Sequence, residues 1–212
     1  MWRAGRMRRI LYLTMVIGAL SAMVAPMQGR AADVEVGRRK AEVCAPCHGE
    51  NGNSTTPTTP SLAGQQPLYL YYQLIQFREE RRKDPQMSPF AANLSDADMQ
   101  DVAAYFAAQK PVVSQSGEPD AQKVAAGKSA SEVHHCASCH APGLVGQEHI
   151  PRLSGQQYAY LLKQLRGFKA QTSTDIDGSM TEAAQSLSDE EIEALAYYIA
   201  HLQPTPDAQP TR

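Results

Sequence analysis

The chain has 212 residues, of which 42% are apolar and only 7% aromatic, and this length allows one large domain or two small ones. The 20 basic and 22 acidic residues nearly balance, which argues against a nucleic-acid-binding protein. A domain of about 80–90 residues has a core that is only marginally stabilising, so a large buried apolar cofactor in each half would supply missing buried surface.

The first 31 residues have the composition of an export signal. Four arginines precede a mostly apolar stretch, 10–24, which is short for a membrane span. Gly29 and Ala31 then place small residues at the −3 and −1 positions of a cleavage site. Because this segment holds five arginines and no acidic residue, cleavage leaves 15 basic and 22 acidic residues, a net charge of −7. The sequence predicts a signal peptide over 1–31 and a periplasmic protein, with an uncleaved membrane anchor as the alternative.

The rest of the chain contains two copies of one unit. Residues 44–48 (CAPCH) return as 136–140 (CASCH), and residues 60–66 (PSLAGQQ) return as 151–157 (PRLSGQQ). The shift between equivalent positions stays between 91 and 93 residues along the whole copy. A gene duplication explains this regularity, and it predicts two similar domains.

The predicted domains cover residues 33–110 and 120–204. A linker over 111–119, with proline, serine and glycine, separates them. No stretch alternates between apolar and polar residues for long enough to predict a strand. Helical periodicity and capping signals predict three helices in each copy, at 36–47, 67–81 and 95–110 and again at 122–139, 157–169 and 188–202.

The repeated pentapeptide has the Cys-x-x-Cys-His spacing of c-type haem attachment. Its two thiols would form thioethers with the vinyl groups of a haem, and the adjacent imidazole would face the iron. A disulfide in each pair is one alternative, but the sequence around the motif lacks a thioredoxin-like strand–helix pattern. A zinc site is another, although each copy offers two thiols and one adjacent imidazole rather than four ligands. The predicted attachment residues are Cys44, Cys47, Cys136 and Cys139, and the predicted iron ligands are His48 and His140.

A low-spin electron carrier needs a second axial ligand, and a methionine sulfur raises the reduction potential. Beyond the signal segment only Met87, Met99 and Met180 remain. Met99 falls on the apolar stripe of a predicted helix, which favours a core position. Met87 and Met180 occupy the same place in both copies, in predicted loops ahead of the last helix, so they are the predicted sulfur ligands. For each of them alone, a core filler is the alternative.

Several other features allow two interpretations. A ligating histidine usually donates its second ring nitrogen, so a carbonyl at or near Pro60 and Pro151 is a candidate acceptor, with a plain turn as the alternative. The basic runs 38–40 and 81–83 are predicted to be solvated helix faces, with a docking patch for an acidic partner as the alternative. Four histidines without equivalents in the first copy are predicted to be surface residues: His134, His135, His149 and His201.

The chain resembles the cytochrome c4 family of two-haem class I cytochromes c. The resemblance lies in these motifs, in the leucine-serine-aspartate sequences that begin the last helices, and in the 177–180 loop. The resemblance covers nearly all of residues 33–204. It implies an all-α protein of two tandem class I cytochrome c domains related by pseudo-two-fold symmetry, with haem propionates near the domain interface. It implies two covalently bound haem c groups with the axial pairs His48/Met87 and His140/Met180.

The resemblance also implies a periplasmic electron carrier, free or loosely membrane-bound, rather than an enzyme. Its partners would be redox proteins such as a membrane oxidase or reductase, with no nucleic acid and no small-molecule substrate. Two alternatives stay open: a dihaem subunit of a dehydrogenase or flavocytochrome complex, and a dihaem peroxidase, which needs an open iron and acid–base groups. The copies differ at 141–144 and 172–175, so the two haem environments and their potentials are expected to differ.

Overall fold

The computed structural model describes residues 30–113, 118–173 and 175–204. Nearly all of the predicted signal peptide, the middle of the predicted linker and the tail after residue 204 lie outside these residues. Within them the chain is helical, and the only β-type pairing is an isolated bridge between Gln147 and Ile150. This confirms the all-α class. No helix in these ranges has the length and apolar character that crossing a membrane requires.

Within the described ranges each copy contains five α-helices. Those of the first copy are α1 (Val34–Lys40), α2 (Ala45–His48), α3 (Pro67–Arg78), α4 (Met87–Ala91) and α5 (Asp96–Ala107). Those of the second copy are α6 (Ala121–Val133), α7 (Cys136–His140), α8 (Tyr158–Lys169), α9 (Ser179–Gln185) and α10 (Asp189–His201). Short 3-10 turns lie at Ala41–Cys44, Glu50–Gly52 and Pro142–Leu144.

The first helix of each copy is shorter and less regular than the sequence predicts. In the first copy the tighter 3-10 turn Ala41–Cys44 separates α1 from α2. In the second copy His135 has a left-handed backbone, with φ of 52°, and this ends the run that was predicted to continue to residue 139. A left-handed residue cannot continue an α-helix. The second haem motif therefore lies on its own short helix, and the first motif spans the end of the 3-10 turn and α2.

The starts of the last helices agree with their capping signals. Ser95 and Ser188 are the N-caps of α5 and α10. The sequence predicts a full capping box only before α10, but both helices have one. The Asp98 side chain accepts from the Ser95 N–H, and the Glu191 side chain accepts from the Ser188 N–H.

Each copy has its own apolar core, built where its first, middle and last helices cross. The first core includes Leu70, Val102 and Phe106, and the second includes Leu161, Leu165, Leu195 and Ile199. The crossing of the first and last helices is very close in both copies. A Cβ on Gly37 would lie 2.0 Å from the Asp101 carbonyl oxygen, and a Cβ on Gly127 would lie 2.1 Å from that of Ala194. Only glycine allows the backbones to approach in this way.

Buried glutamines join the two copies through reciprocal hydrogen bonds. The Gln65 side chain accepts from the Arg152 N–H at 2.6 Å and donates to the Arg152 carbonyl at 3.0 Å. Its equivalent, Gln156, accepts from the Ser61 N–H at 2.8 Å and donates to the Ser61 carbonyl at 3.0 Å. Because Ser61 and Arg152 are themselves equivalent, the contact is the same in both directions. A two-fold relation between the copies produces this pattern.

We expect Gly127→Ala to lower the free energy of unfolding by about 1–3 kcal/mol, because the added methyl would overlap the Ala194 carbonyl. Denaturant unfolding of the holoprotein measures this. Ser129→Ala on the exposed face of the same helix is the control and should have little effect. Equal effects of the two substitutions would contradict the close crossing.

Gln156→Ala should also destabilise the protein, by about 1–3 kcal/mol, because it leaves the buried Ser61 N–H and carbonyl without their partners. Thermal unfolding of the variant is compared with that of Gln122→Ala, which changes an exposed glutamine. If the two variants unfolded alike, the glutamine contacts would not be what holds the copies together.

Candidate functional site

The first haem motif places a buried histidine beside a proline carbonyl. His48 ends α2, and its Nδ1 lies 2.9 Å from the carbonyl oxygen of Pro60. Because a carbonyl only accepts, Nδ1 carries the proton and Nε2 keeps a lone pair. Nε2 is buried and has no hydrogen-bond partner among the described residues. Burial lowers the pKa of His48, although the Pro60 bond opposes that shift, so the imidazole is neutral near pH 7.

The second motif repeats this geometry. His140 ends α7, and its Nδ1 lies 2.9 Å from the Pro151 carbonyl oxygen. Burial again lowers the pKa of the imidazole, against the opposing effect of the proline bond. In both copies the proline carbonyl is therefore an acceptor, as the sequence predicts, rather than part of a plain turn. A neutral imidazole fixed through Nδ1 is the form that binds a metal through Nε2.

The cysteines lie beside these histidines as free thiols. Cys44 and Cys136 are partly buried and pack against the cores of their own copies, whereas Cys47 and Cys139 are exposed. Burial raises the pKa of Cys44 to about 11, with a smaller contribution from the nearby Cys47. The described residues contain no group of three or more His, Cys, Asp or Glu side chains that could hold a metal ion, so the zinc alternative has no matching site there.

The prediction that the two candidate methionines lie in loops is wrong. Met87 is the first residue of α4, and Met180 is the second residue of α9. The Met87 N–H donates to the Asp84 carboxylate at 3.1 Å, and the Met180 N–H donates to the Asp175 carboxylate at 2.6 Å. These carboxylates satisfy N–H groups at the helix starts. Periodicity missed both helices because they have only five and seven residues.

The three methionines differ in their surroundings. Met99 is fully buried, as the sequence predicts for a core residue. Met180 is partly buried and packs against the same core as Cys136. Met87 is partly buried, but among the described residues it is not one of those that contact the first core. The ligand roles of Met87 and Met180 stay predictions.

The segment after each motif has the same backbone shape despite its different sequence. Gly49 and Ala141 have φ of 80° and 63°, and Gly52 and Leu144 have φ of 78° and 54°. The carbonyls of Gly52 and Leu144 each accept two N–H groups from the segment after the proline. The second copy thus holds alanine and leucine in a left-handed conformation that favours glycine. This keeps the proline carbonyl in register with the histidine.

Of the four histidines without equivalents, His135 is exposed as predicted. The other three are partly buried and interact with the protein instead of being fully solvated. His134 lies 3.0 Å from Glu191, His149 lies 3.9 Å from Asp177, and His201 lies 2.8 Å from the Tyr197 carbonyl oxygen.

Apart from the proline carbonyls, the residues that support the site could not be predicted from the motifs. The Gly-Gln-Gln repeat is visible in the sequence, but its role between the copies depends on tertiary contacts. The carboxylates of Asp84 and Asp175 recur at a shift of 91 residues, and this repetition could have revealed them. Arg152, which is buried beside Pro151, had no signal except that its equivalent is a serine.

The residues present fit a c-type haem in each copy. Two thiols and one neutral imidazole lie on one helical segment, and the Nε2 of His48 is a buried atom that lacks a partner. That arrangement is the one expected when the imidazole binds iron and the thiols form thioethers.

Comparison with known proteins agrees with this site. The family model described as Cytochrome c matches residues 34–110 and 124–203. Cytochrome c4 of Pseudomonas aeruginosa is 40% identical over 81% of this chain and 90% of that protein. The thiosulfate dehydrogenase electron acceptor of Stutzerimonas stutzeri is 32% identical over 88% of this chain and 94% of that protein.

The crystal structure of reduced recombinant cytochrome c4 from Pseudomonas stutzeri superposes with a TM-score of 0.75. It is 36% identical in sequence, and the match covers 82% of this chain and 100% of that chain. The two haem motifs agree with the two matched cytochrome c regions, with the relatives and with the cytochrome c4 crystal structure. The chain therefore belongs to the cytochrome c4 family, the dihaem electron-transfer cytochromes c.

Proposed function

We propose that the chain is an exported periplasmic electron carrier whose two haems are held by the residues predicted from the motifs. The observation that carries the proposal is the repeated histidine geometry: in each copy Nδ1 is 2.9 Å from a proline carbonyl, which leaves Nε2 available to iron. The proposed attachment residues are Cys44, Cys47, Cys136 and Cys139, and the proposed axial ligands are His48, Met87, His140 and Met180.

The protein residues have distinct tasks in this function. The proline carbonyls orient the imidazoles, and the four thiols would fix the haems covalently. When bound, each haem supplies an iron that gains or loses one electron. The sulfurs of Met87 and Met180 would hold the irons together with the imidazoles, which would raise the reduction potentials and exclude small molecules from the irons. A closed iron favours electron transfer over peroxidase chemistry, which needs an open position.

Export is supported by the composition of residues 1–31, where arginines precede a short apolar stretch and small residues mark a cleavage site. The proposed cleavage after Ala31 would give a mature chain that starts at Ala32. The mass and N-terminal sequence of the protein from a periplasmic fraction measure this. Recovery of the uncleaved chain in the membrane fraction would support the anchor alternative instead.

The partners are redox proteins. A membrane oxidase or reductase is the partner that the family resemblance favours. A second candidate is a dehydrogenase that donates electrons, because relatives in Stutzerimonas stutzeri and Thiomonas intermedia, 32% and 33% identical, are named thiosulfate dehydrogenase electron acceptors. Co-purification from the native host, followed by reduction of the purified cytochrome by each partner, separates the two candidates.

Replacing either proposed sulfur ligand should change one haem only. We expect Met87→Leu and Met180→Leu each to remove about half of the ferric methionine–iron charge-transfer band and to lower one of the two reduction potentials, because sulfur ligation raises the potential. Absorption spectra of the oxidised holoprotein and a redox titration measure both effects.

Met99→Leu is the matched control, since Met99 is fully buried in the first copy but is not a proposed ligand. It should leave the band and both potentials unchanged and cost less than about 1.5 kcal/mol in stability. Loss of the band in Met99→Leu, or its full retention in Met87→Leu or Met180→Leu, would refute the ligand assignment.

A further inference from the structure

Arg152 is a buried cation without a matching anion. The residue is only 4% exposed, and it lies at the contact between the two copies. Its guanidinium donates to the Ala63 carbonyl of the first copy at 2.8 Å and to the Ser154 carbonyl of its own copy. Its Nε is buried and has no partner among the described residues. No ion pair between Arg152 and an acidic residue is found in the described part of the chain.

Such a group is costly unless an anion compensates it. A buried charge without a counter-ion costs several kcal/mol, on the order of the total stability of a small domain. Two carbonyls satisfy part of the guanidinium hydrogen-bonding capacity, but they do not neutralise its charge. Burial accordingly lowers the pKa of Arg152 to about 10. An anion that binds the guanidinium in the haem-loaded protein would offset this cost.

The position of Arg152, next to the support of a proposed iron ligand, favours a haem carboxylate as this anion. It directly follows Pro151, whose carbonyl holds the His140 ring, and its own N–H and carbonyl are fixed by Gln65. The guanidinium is thus tied to the support of the second proposed iron ligand. A haem carries two propionates, which are carboxylates, and the planar fork of an arginine matches a carboxylate in geometry and charge.

We propose that Arg152 is a positioning residue that binds a haem propionate at the boundary between the copies and raises the reduction potential of the second-copy haem. This inference rests on the proposed haem assignment. The equivalent residue in the first copy is Ser61, so the second copy alone has a cation at this place. A nearby positive charge favours the reduced state, because reduction adds an electron to the site.

Arg82 is a weaker candidate for the same role. Its guanidinium donates to Gln73, Tyr160 and Gln164 and lies over the Phe77 ring at 4.7 Å. These partners use its donors, and none of its nitrogens is left buried without a partner in the described residues. The orphaned Nε distinguishes Arg152 from it.

The test is a spectroelectrochemical titration that resolves the two one-electron steps of the purified holoprotein. Arg152→Gln should lower the reduction potential of one step by about 59 mV, which for one electron is a tenfold shift toward the oxidised form. It should lower the potential of the other step by less. Arg152→Lys keeps the charge, so the potential of the more strongly shifted step should lie closer to that of the wild type than to that of Arg152→Gln. Arg166→Gln is the control, because Arg166 is exposed and pairs with Glu193 at 2.7 Å. It should leave both potentials unchanged.

If Arg152→Gln is unstable, redox-induced infrared difference spectra of the wild type and Arg152→Lys provide a second readout. The propionate carboxylate bands should differ between these two proteins. A purely structural arginine would lower the unfolding temperature on substitution while leaving both potentials and the carboxylate bands as in the wild type, and that result overturns the inference. A protein that carries no haem would instead refute the proposed function itself.

Discussion

The interaction on which the site depends is the hydrogen bond from a histidine Nδ1 to a proline carbonyl, 2.9 Å long in both copies. It fixes the tautomer, the ring orientation and the availability of Nε2 in one contact. The segment after each motif positions this contact. The left-handed residues after each motif turn the chain so that the proline returns to the ring. The two motifs differ in sequence after the histidine, yet the geometry is preserved.

The second constraint is the reciprocal contact between the copies. Gln65 and Gln156 each bind the backbone of the residue that follows the proline in the other copy. Hydrogen bonds from the other copy therefore fix the segment that orients each histidine. The supports of the two histidines thus share hydrogen bonds between the copies, although the residues around them differ.

Much of this architecture could be predicted from the sequence. The duplication, the haem motifs, the helix starts at Ser95 and Ser188 and the core position of Met99 are local or repeated signals, and the structure agrees with them. The short helices that begin around Met87 and Met180 could not be predicted, because one or two turns show no periodicity. The same holds for the buried Arg152 and the roles of the glutamines. Their significance comes from groups that lie about 90 residues away in the chain.

The central claim is that both motifs hold a haem covalently, and the most direct test is the mass of the denatured protein. The protein is purified from a host that can attach haem, and its mass and free thiols are measured together with its haem absorbance. The expected mass is that of the mature chain plus two haems, with no free thiol. A colourless chain of the mature mass, with four titratable thiols or two cystines, would contradict the claim.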